Sequence, residues 1–492
     1  MIALVVTVGG SGRRLRSNGV AGTQTNLAWE TLLDLSATRP GPLHLRLRSA
    51  IRAAIRDGRL PLGAAVPPSR TLATDLGVSR WTVTQAYSLL IAEGYLAGRT
   101  GSATRVSWSP DPGADRDARP VRPSETPPRP ARFDLSPGRP DLRAFPRRKW
   151  AEAVRTAAET APFDQLDYSQ SGGHPALRGV LADHLNRSRG AAAEPGTISI
   201  FAGAGQSMSQ VSHALLAAGH TTIGMEDPGS SRLVQAAQMA GLELVGLPVD
   251  DDGLVVGELA KHPGLRAVCV GAARQVATGC TLAPRRRAAL LDWARDVDGL
   301  VVEDDYDSEF SYRRPALPAM QGVDPARVAL LGSINRTLGP TVNIGWVVAP
   351  RRWVHAVRTA GDIPVMPSAL NQLALAHFLE SGDYHRHLRA SRRRFRARRA
   401  ALMGALEHRL PGYRIRGTDA GLDLLLELPP GTDAAAIVAR AQRRDMLLCN
   451  LDDVRFRPDP GKPGLLLGYG NLNDPVVDQA VAVLAEIITH DG

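Results

Sequence analysis

Apolar residues recur at helical spacing at Leu43, Leu47, Ile51, Ala54 and Ile55, and Gly58 follows as a stop. After Pro67-Pro68, Ser69 is placed to cap a short helix carrying Leu72, Ala73 and Leu76 on one face, with Gly77 closing it. Ser79 caps a further helix after a turn of only Gly77-Val78-Ser79, and two helices joined so tightly make a helix-turn-helix. This second helix packs through Val83, Ala86, Tyr87, Leu90 and Ile91. It turns Arg80, Thr82, Thr84 and Gln85 outward at its N-terminal end, where a recognition helix meets base edges and phosphates. Tyr95–Leu96 and Thr104–Val106 read as short strands around the turn at 97–102, a wing whose Arg99 and Gly101 could approach a backbone. The alternative is a small helical bundle with no nucleic-acid partner.

From about Arg132 the pattern changes to short apolar runs alternating with amphipathic stretches. Thr197–Phe201, Ala267–Val270, Gly299–Val302, Val328–Leu331 and Trp346–Val348 read as buried strands, with helices such as Arg285–Ala294 between some of them. That alternation predicts a mostly parallel sheet covered by helices, an α/β body. Strands at Leu422–Leu428 and Leu465–Gly468 and helices at Ala434–Arg443 and Pro475–Ile488 predict a smaller α+β lobe. Seven prolines between 107 and 131 rule out a helix interior or a central strand, leaving a semi-rigid spacer. The expected organisation is a flexible extension over 1–30, a DNA-binding module over 31–106, a linker over 107–131 and a body over 132–492.

Charge sharpens this division. The chain of 492 residues carries a net charge of +10, and between Gly41 and Val106 nine arginines face three acids. A basic module beside a more nearly neutral bulk is the footprint of a phosphate-backbone binder, although an arginine-rich solvated surface gives the same count. No apolar run reaches the roughly 18–20 residues of a membrane span. Cys269, Cys280 and Cys449 are scattered without metal-ligand spacing, which predicts no metal site and a reduced, cytoplasmic protein. The stretch Arg386–Arg399 holds eight arginines in fourteen residues; it reads as a solvated helix face, with a second DNA-contacting surface as the alternative.

The run from Gly58 to Val106, "GRLPLGAAVPPSRTLATDLGVSRWTVTQAYSLLIAEGYLAGRTGSATRV", closely resembles the winged-helix domain of GntR-type bacterial repressors. The resemblance implies that Arg70, Arg80 and Thr84 touch DNA and that Thr100 and Gly101 form the wing tip. With the flanking Ser69, Ser79, Thr82, Gln85 and Arg99 these make the candidate DNA-binding set. The body carries "SPGRPDLRAFPRRKW", "YSQSGGHPALRGVLADHL", "MEDPGS", "TGCTLAPRRRAALLDWA", "VVEDDYDSEFSYRRPALPAMQG" and "GSINRTLGPTVNIGWVVAP" in order. It is similar to the fold-type-I, pyridoxal-phosphate-dependent aminotransferase domain of MocR regulators, which fuse a GntR head to such a body. Bodies of that kind build their sites at a dimer interface, so the resemblance also implies a homodimer.

A pyridoxal-phosphate site needs a lysine for the imine, an acid for the pyridine nitrogen, and donors for the phosphate. By resemblance Asp304 is the acid, Tyr306 the hydroxyl that meets the ring oxygen, Ala204, Gly205 and Gln206 the backbone cradle, and Ser333 a phosphate hydroxyl. For the acids, a strand-end cluster without a ligand is the alternative. The lysine is absent: the family pattern Ser-Lys-Thr-Leu reads Asn335-Arg336-Thr337-Leu338 here. Arginine stays protonated and is a poor nucleophile, so Arg336 forms no imine. Asn343 replaces the phosphate-binding arginine, Ser230 the aromatic of "EDPGY", Leu466 the carboxylate-binding arginine of some members, and Arg274-Gln275-Val276-Ala277-Thr278-Gly279 the "HQFPTG" stretch. Arg336 is expected across the pocket from Asp304, either paired with it or gripping an anionic ligand. The expectation is a DNA-binding transcriptional regulator, catalytically inactive, whose body senses a small-molecule effector and dimerises, with pyridoxal phosphate held noncovalently or not at all. The alternatives are an active aminotransferase with a DNA-binding head, and a body that only dimerises.

Overall fold

A computed structural model of the chain describes residues 29, 33, 41–98, 103–108, 131–167, 171–312, 317–361 and 366–489. The expectations for Arg99, Thr100 and Gly101, for most of the N-terminal extension and for 109–130 of the linker lie outside the described residues. The chain divides into two compact units, 1–128 and 129–492.

In the first unit α1 (Leu43–Arg56), α2 (Ser69–Asp75) and α3 (Arg80–Ala92) precede the antiparallel pair β1 (Leu96–Ala97) and β2 (Arg105–Val106). One apolar cluster joins Leu47, Ile51, Ala54 and Ile55 of α1 to Leu72, Val83, Tyr87 and Leu90. The hydroxyl of Tyr87 donates to the Pro67 carbonyl (2.9 Å), tying α3 to the loop before α2. The hairpin has a third edge that the alternation did not announce. Ala65 bridges Arg105, and the Val66 amide donates to the Thr104 carbonyl at 2.9 Å.

Two expectations about these helices change. Ser69 is the first residue of α2; Pro68 holds the cap position and no side chain accepts there. Pro68 already has the fixed φ that starts a helix, so the hydroxyl is not called upon. Ser79 does cap α3, its hydroxyl accepting from the Thr82 amide at 3.1 Å. Ile91 is 44 % exposed, because the buried seam runs through 83, 86, 87 and 90 and leaves it to one side.

The second unit opens with β3 (Phe133–Asp134), α4 (Arg147–Thr160) and α5 (Pro175–Arg189). The central sheet is then built from β4 (Ile198–Phe201), β5 (Thr222–Asp227), β6 (Glu243–Asp250), β7 (Gly253–Leu254), β8 (Ala267–Val270), β9 (Leu300–Asp304), β10 (Val328–Ser333) and β11 (Gly345–Val348). Between them lie α6 (Gly203–Ala217), α7 (Ser231–Ala240) and α8 (Pro284–Asp296). The sheet order is β4-β11-β10-β9-β8-β5-β6-β7; β10, β9, β8, β5 and β6 run parallel, while β11 and β7 are antiparallel to their neighbours.

Both faces of this sheet are covered. Leu330 of β10 enters one cluster with Ile198 and Trp346, while Ala329 and Leu331 enter another with Met208 and Val211 of α6. A strand buried on both sides has no polar face to display, which is why these segments read as continuous apolar runs.

Next come α9 (Val354–Thr359), α10 (Ala369–Glu380) and the 27-residue α11 (Asp383–Arg409). The smaller lobe follows with β12 (Ile415–Arg416), β13 (Asp423–Glu427), α12 (Ala434–Arg443), β14 (Met446–Leu447), β15 (Cys449–Asn450), β16 (Gly464–Gly468) and α13 (Val477–Thr489). Its sheet is antiparallel, β12-β13-β16-β15, and β3 pairs in parallel with β14, so the segment that opens the unit belongs to this lobe.

Candidate nucleic-acid interface and ligand pocket

On α3 the exposed positions are Arg80, Trp81, Thr84, Ser88, Ile91 and Ala92, with Gln85 half-buried. The Thr84 hydroxyl donates to the Arg80 carbonyl at 2.9 Å. Arg70 on α2 is exposed as well, and no acid lies within ion-pair distance of either arginine among the described residues. By contrast Arg48 and Arg52 of α1 both reach Glu93 (3.3 and 3.5 Å).

Thr82 corrects the sequence expectation: it is 6 % exposed and its hydroxyl lies 2.8 Å from that of Ser79. It completes the cap and faces inward beside Val83, so it is not part of the outward surface. Trp81 carried no signal in the apolar pattern, yet it is 62 % exposed beside Arg80, with its ring edge-to-face with His44 at 5.5 Å.

In the second unit the candidate residues gather at the carboxyl ends of the parallel strands, where open α/β sheets place their ligands. Asp304 ends β9 and Ser333 ends β10, while Ala204, Gly205 and Gln206 form the first turn of α6, whose leading amides have no intrahelical acceptor. Gly203 has φ +79°, and a Cβ there would fall 2.7 Å from Asn343 Oδ1, so Asn343 closes over the start of α6. Asn343 itself is left-handed (φ 51°), and Asn335 Nδ2 donates to its Oδ1 at 3.4 Å. Ser333 Oγ accepts from the Asn335 amide at 3.1 Å. Ser230 is half-buried just ahead of α7.

The centre of the pocket is a charge network. The Arg336 guanidinium stacks on the Tyr306 ring, its Cζ 4.3 Å from the centroid, and is pressed against Gly138, where a Cβ would fall 2.6 Å from Cζ. Its ion partner is Asp423 at 3.4 Å, so of the two alternatives the pairing with Asp304 is not formed. The reason is the neighbouring turn: the Gly138 amide donates to the other oxygen of Asp423 at 2.7 Å, bringing β13 against the 336 loop.

Arg274 is more deeply set, 3 % exposed. It donates to the Tyr306 hydroxyl, to Asp307 at 3.0 Å and to the Asp423 carbonyl at 2.9 Å. Burial works to lower its pKa, but Tyr306 and the Asp307 and Asp423 carboxylates outweigh it and leave it raised. The ring oxygen contact expected of Tyr306 is thus already taken by a side chain of the chain itself. Neither Arg274 as a cation nor Asp423 was marked by the motifs. The single charge in "AGLDLLL", an Asp inside an apolar strand, was the available signal.

Asp304 is 8 % exposed, and its carboxyl makes no hydrogen bond to another described residue. Burial pushes its carboxyl up to about 7, with Arg336 pulling the other way. Glu226, at the end of β5, is pushed up to about 8 by burial, opposed by the Gly271 amide, which donates to it at 3.1 Å. Val276 lies apart from the charges, packed with Ala277, Leu425, Leu451 and Leu466 between the large sheet and the smaller lobe. Gln275 holds its turn, accepting from the Ala277 and Thr278 amides at 2.9 and 2.7 Å. The loop bearing Arg336 is pinned from α11, where the Tyr384 hydroxyl donates to Thr337 Oγ1 (2.9 Å) and His387 Nε2 to the Thr337 carbonyl (2.8 Å).

The model for bacterial regulatory proteins of the gntR family matches residues 43–106, and that for class I and II aminotransferases matches 133–448. The probable rhizopine catabolism regulatory protein MocR of Rhizobium meliloti is 31% identical, over 92% of this chain and 94% of that protein. The pyridoxine biosynthesis regulator PdxR of Corynebacterium glutamicum is 34% identical, over 93% and 98%. The chain belongs to the MocR family of GntR-type transcriptional regulators. Its body shares the fold of an archaeal alanine:glyoxylate aminotransferase (TM-score 0.68, 22% identity, 73% of this chain and 91% of that one). A Thermococcus profundus multiple-substrate aminotransferase is similar (TM-score 0.67, 22% identity, 75% and 96%). This MocR-family chain is therefore a DNA-binding regulator with an aminotransferase-like body, and no described helix is long and apolar enough to cross a membrane.

Proposed function

We propose that the body of this regulator is a catalytically inactive effector sensor that holds no covalent pyridoxal phosphate. The observation that carries the reading is Arg336, standing where the family places its imine lysine and stacked on Tyr306. The chain's three lysines offer no substitute: Lys149 pairs with Glu152, Lys261 with Glu258, and Lys462 lies in an exposed turn. Bound pyridoxal phosphate supplies an electron sink to amine chemistry, and the residues here do not fit it in its imine-linked form.

An anionic effector suits what is left. Arg336 is 24 % exposed and has one long ion-pair contact, which leaves donors of its fork for a carboxylate or phosphate. The first turn of α6 and Ser333 add further donors, and the Asp304 carboxyl, without a hydrogen-bond partner among the described residues, accepts from a ligand N–H or O–H. Dimerisation is supported by Phe163 and Leu166, 89 % and 54 % exposed within one turn. The DNA-binding set is Arg70, Arg80, Thr84 and Gln85, with Ser69 and Ser79 at the helix starts and Arg99, Thr100 and Gly101 of the wing; the regulator acts where the chromosome is, in the cytoplasm.

The test is a thermal-shift screen of anionic metabolites on the full chain, repeated with Arg336→Ala. A sensor gives at least one ligand that raises the melting temperature of the native chain and not of the variant. If no metabolite stabilises the native chain, or if the variant responds equally, Arg336 is not the sensing residue.

A further inference from the structure

The arginines of α11 fall into two groups that the sequence count could not separate. Four point into the fold or along its edge and are neutralised. Arg392 reaches Glu309 (3.3 Å) and Arg394 reaches Asp141 (3.9 Å). Arg398, 2 % exposed, reaches Asp141 and Asp474 (3.1 and 2.6 Å), and Arg399 reaches Asp419 (3.1 Å). The other four, Arg386, Arg389, Arg393 and Arg396, are exposed and follow one another at steps of three, four and three residues. Those steps place them in one stripe along a single helix face.

Arg386 is held by Asp383 at 2.8 Å, at the start of the helix. Arg389, Arg393 and Arg396 have no acid within ion-pair distance among the described residues. Beyond Arg396 the same face continues in Ala397, Ala400, Ala401 and Gly404, all exposed and small, and the next acid on it is Glu407. On the neighbouring α5, Arg187 is exposed; burial and His184 hold His385 towards its neutral form, and the charges of Arg187 and Arg389 add to this. Asp183, one turn before Arg187, is the exposed acid of that helix, and Glu380 ends α10 beside the start of the stripe.

Three uncompensated guanidinium groups spanning about 10 Å, at 1.5 Å of rise per residue, cover the length of about three phosphate intervals of one DNA strand, at about 3.4 Å each along its axis. Small side chains flanking them let a cylinder as wide as a duplex come close. From this geometry we infer that the Arg389–Arg393–Arg396 stripe of the aminotransferase-like body is a second, sequence-independent contact surface for the DNA backbone, additional to the recognition helix. It adds affinity and leaves base choice to the head.

The test is the salt dependence of binding by the full chain to a fluorescently labelled duplex of mixed sequence and about 40 base pairs, read by anisotropy. Each phosphate contact contributes about 0.9 to the slope of log affinity against log salt. The variant Arg389→Gln/Arg393→Gln/Arg396→Gln is expected to make the slope shallower by about 2.7, with its melting temperature unchanged. Lysine at the same three positions keeps the native slope. A glutamine variant whose slope equals the native one overturns the inference. Should the triple variant melt early, Arg393→Gln alone, expected to lower the slope by about 0.9, decides in its place. The variant Arg80→Gln keeps this outcome separate from DNA binding by the head: loss of slope there with none at the stripe means the head binds alone.

Discussion

Replacing Arg274 by methionine probes the charge network at the centre of the pocket. The methionine keeps much of the stem's volume and removes a cation whose partners are themselves buried: the side chains of Asp307 and Asp423 are 1 % and 2 % exposed. Asp423 retains Arg336 and the Gly138 amide, so the loss falls mainly on Asp307, whose Oδ1 already has no partner. Removing one member of a buried ion pair costs about 3–5 kcal/mol, because the remaining charge is left unsolvated. At about 2.1 cal/mol/K per residue over a unit of about 360 residues, that loss lowers the melting temperature by about 4–7 °C. The effect depends on pH with a definite sign. Burial raises the Asp307 carboxyl and Arg274 opposes the rise, so in the variant the folded-state pKa climbs further. A raised folded pKa means stability held at low pH and lost as pH rises through it, so the variant's deficit is larger at pH 8 than at pH 5. Calorimetry at both pH values measures it, and adding Asp307→Asn should recover most of the deficit at pH 8. A melting temperature unchanged at both pH values would refute the claim that Arg274 is the buried counter-charge of this pocket.

Other consequences follow from single contacts. Ser79→Ala removes the cap on the recognition helix and should destabilise the head by about 1 kcal/mol, seen as an earlier first transition in urea. Arg80→Ala should reduce the salt slope of DNA binding by about 0.9, read by anisotropy at several salt concentrations; an unchanged slope means that Arg80 meets no phosphate. Asp304 has its folded pKa raised to about 7, so the native body should lose stability as pH rises from about 4 to 7. Asp304→Asn should flatten that part of the profile, and an equally steep profile in the variant would assign it to other groups.

The sequence was most informative where one physical rule acts alone. The helix-turn-helix was legible because a cap, a three-residue turn and an apolar seam coincide in one short stretch, and the buried strands were legible because both sheet faces exclude polar side chains. It was least informative where long-range contacts decide. Ser69 looked like a cap until Pro68 took that position, and Thr82 looked outward although its hydroxyl closes the Ser79 cap. The third edge of the wing at 63–66 has no alternation, since its amides are satisfied by a strand some 40 residues away. In the pocket, the replacement of lysine by Arg336 was plain from the motif, but its partner was not. Asp423 lies 87 residues further on and reaches the loop only because β13 and the Gly138 turn are brought together there. The arginines of α11 likewise formed one dense run in sequence, and only the fold divides them into neutralised and free.

The absence of an imine at position 336 is what sets this body apart from an aminotransferase, and it can be measured directly. Full-length protein is incubated with pyridoxal phosphate, reduced with borohydride, digested and mapped by mass spectrometry, alongside Arg336→Lys. The native chain is expected to yield no phosphopyridoxyl peptide from its pocket and no aldimine absorbance before reduction. A reduced phosphopyridoxyl group on a residue of the native pocket would contradict it.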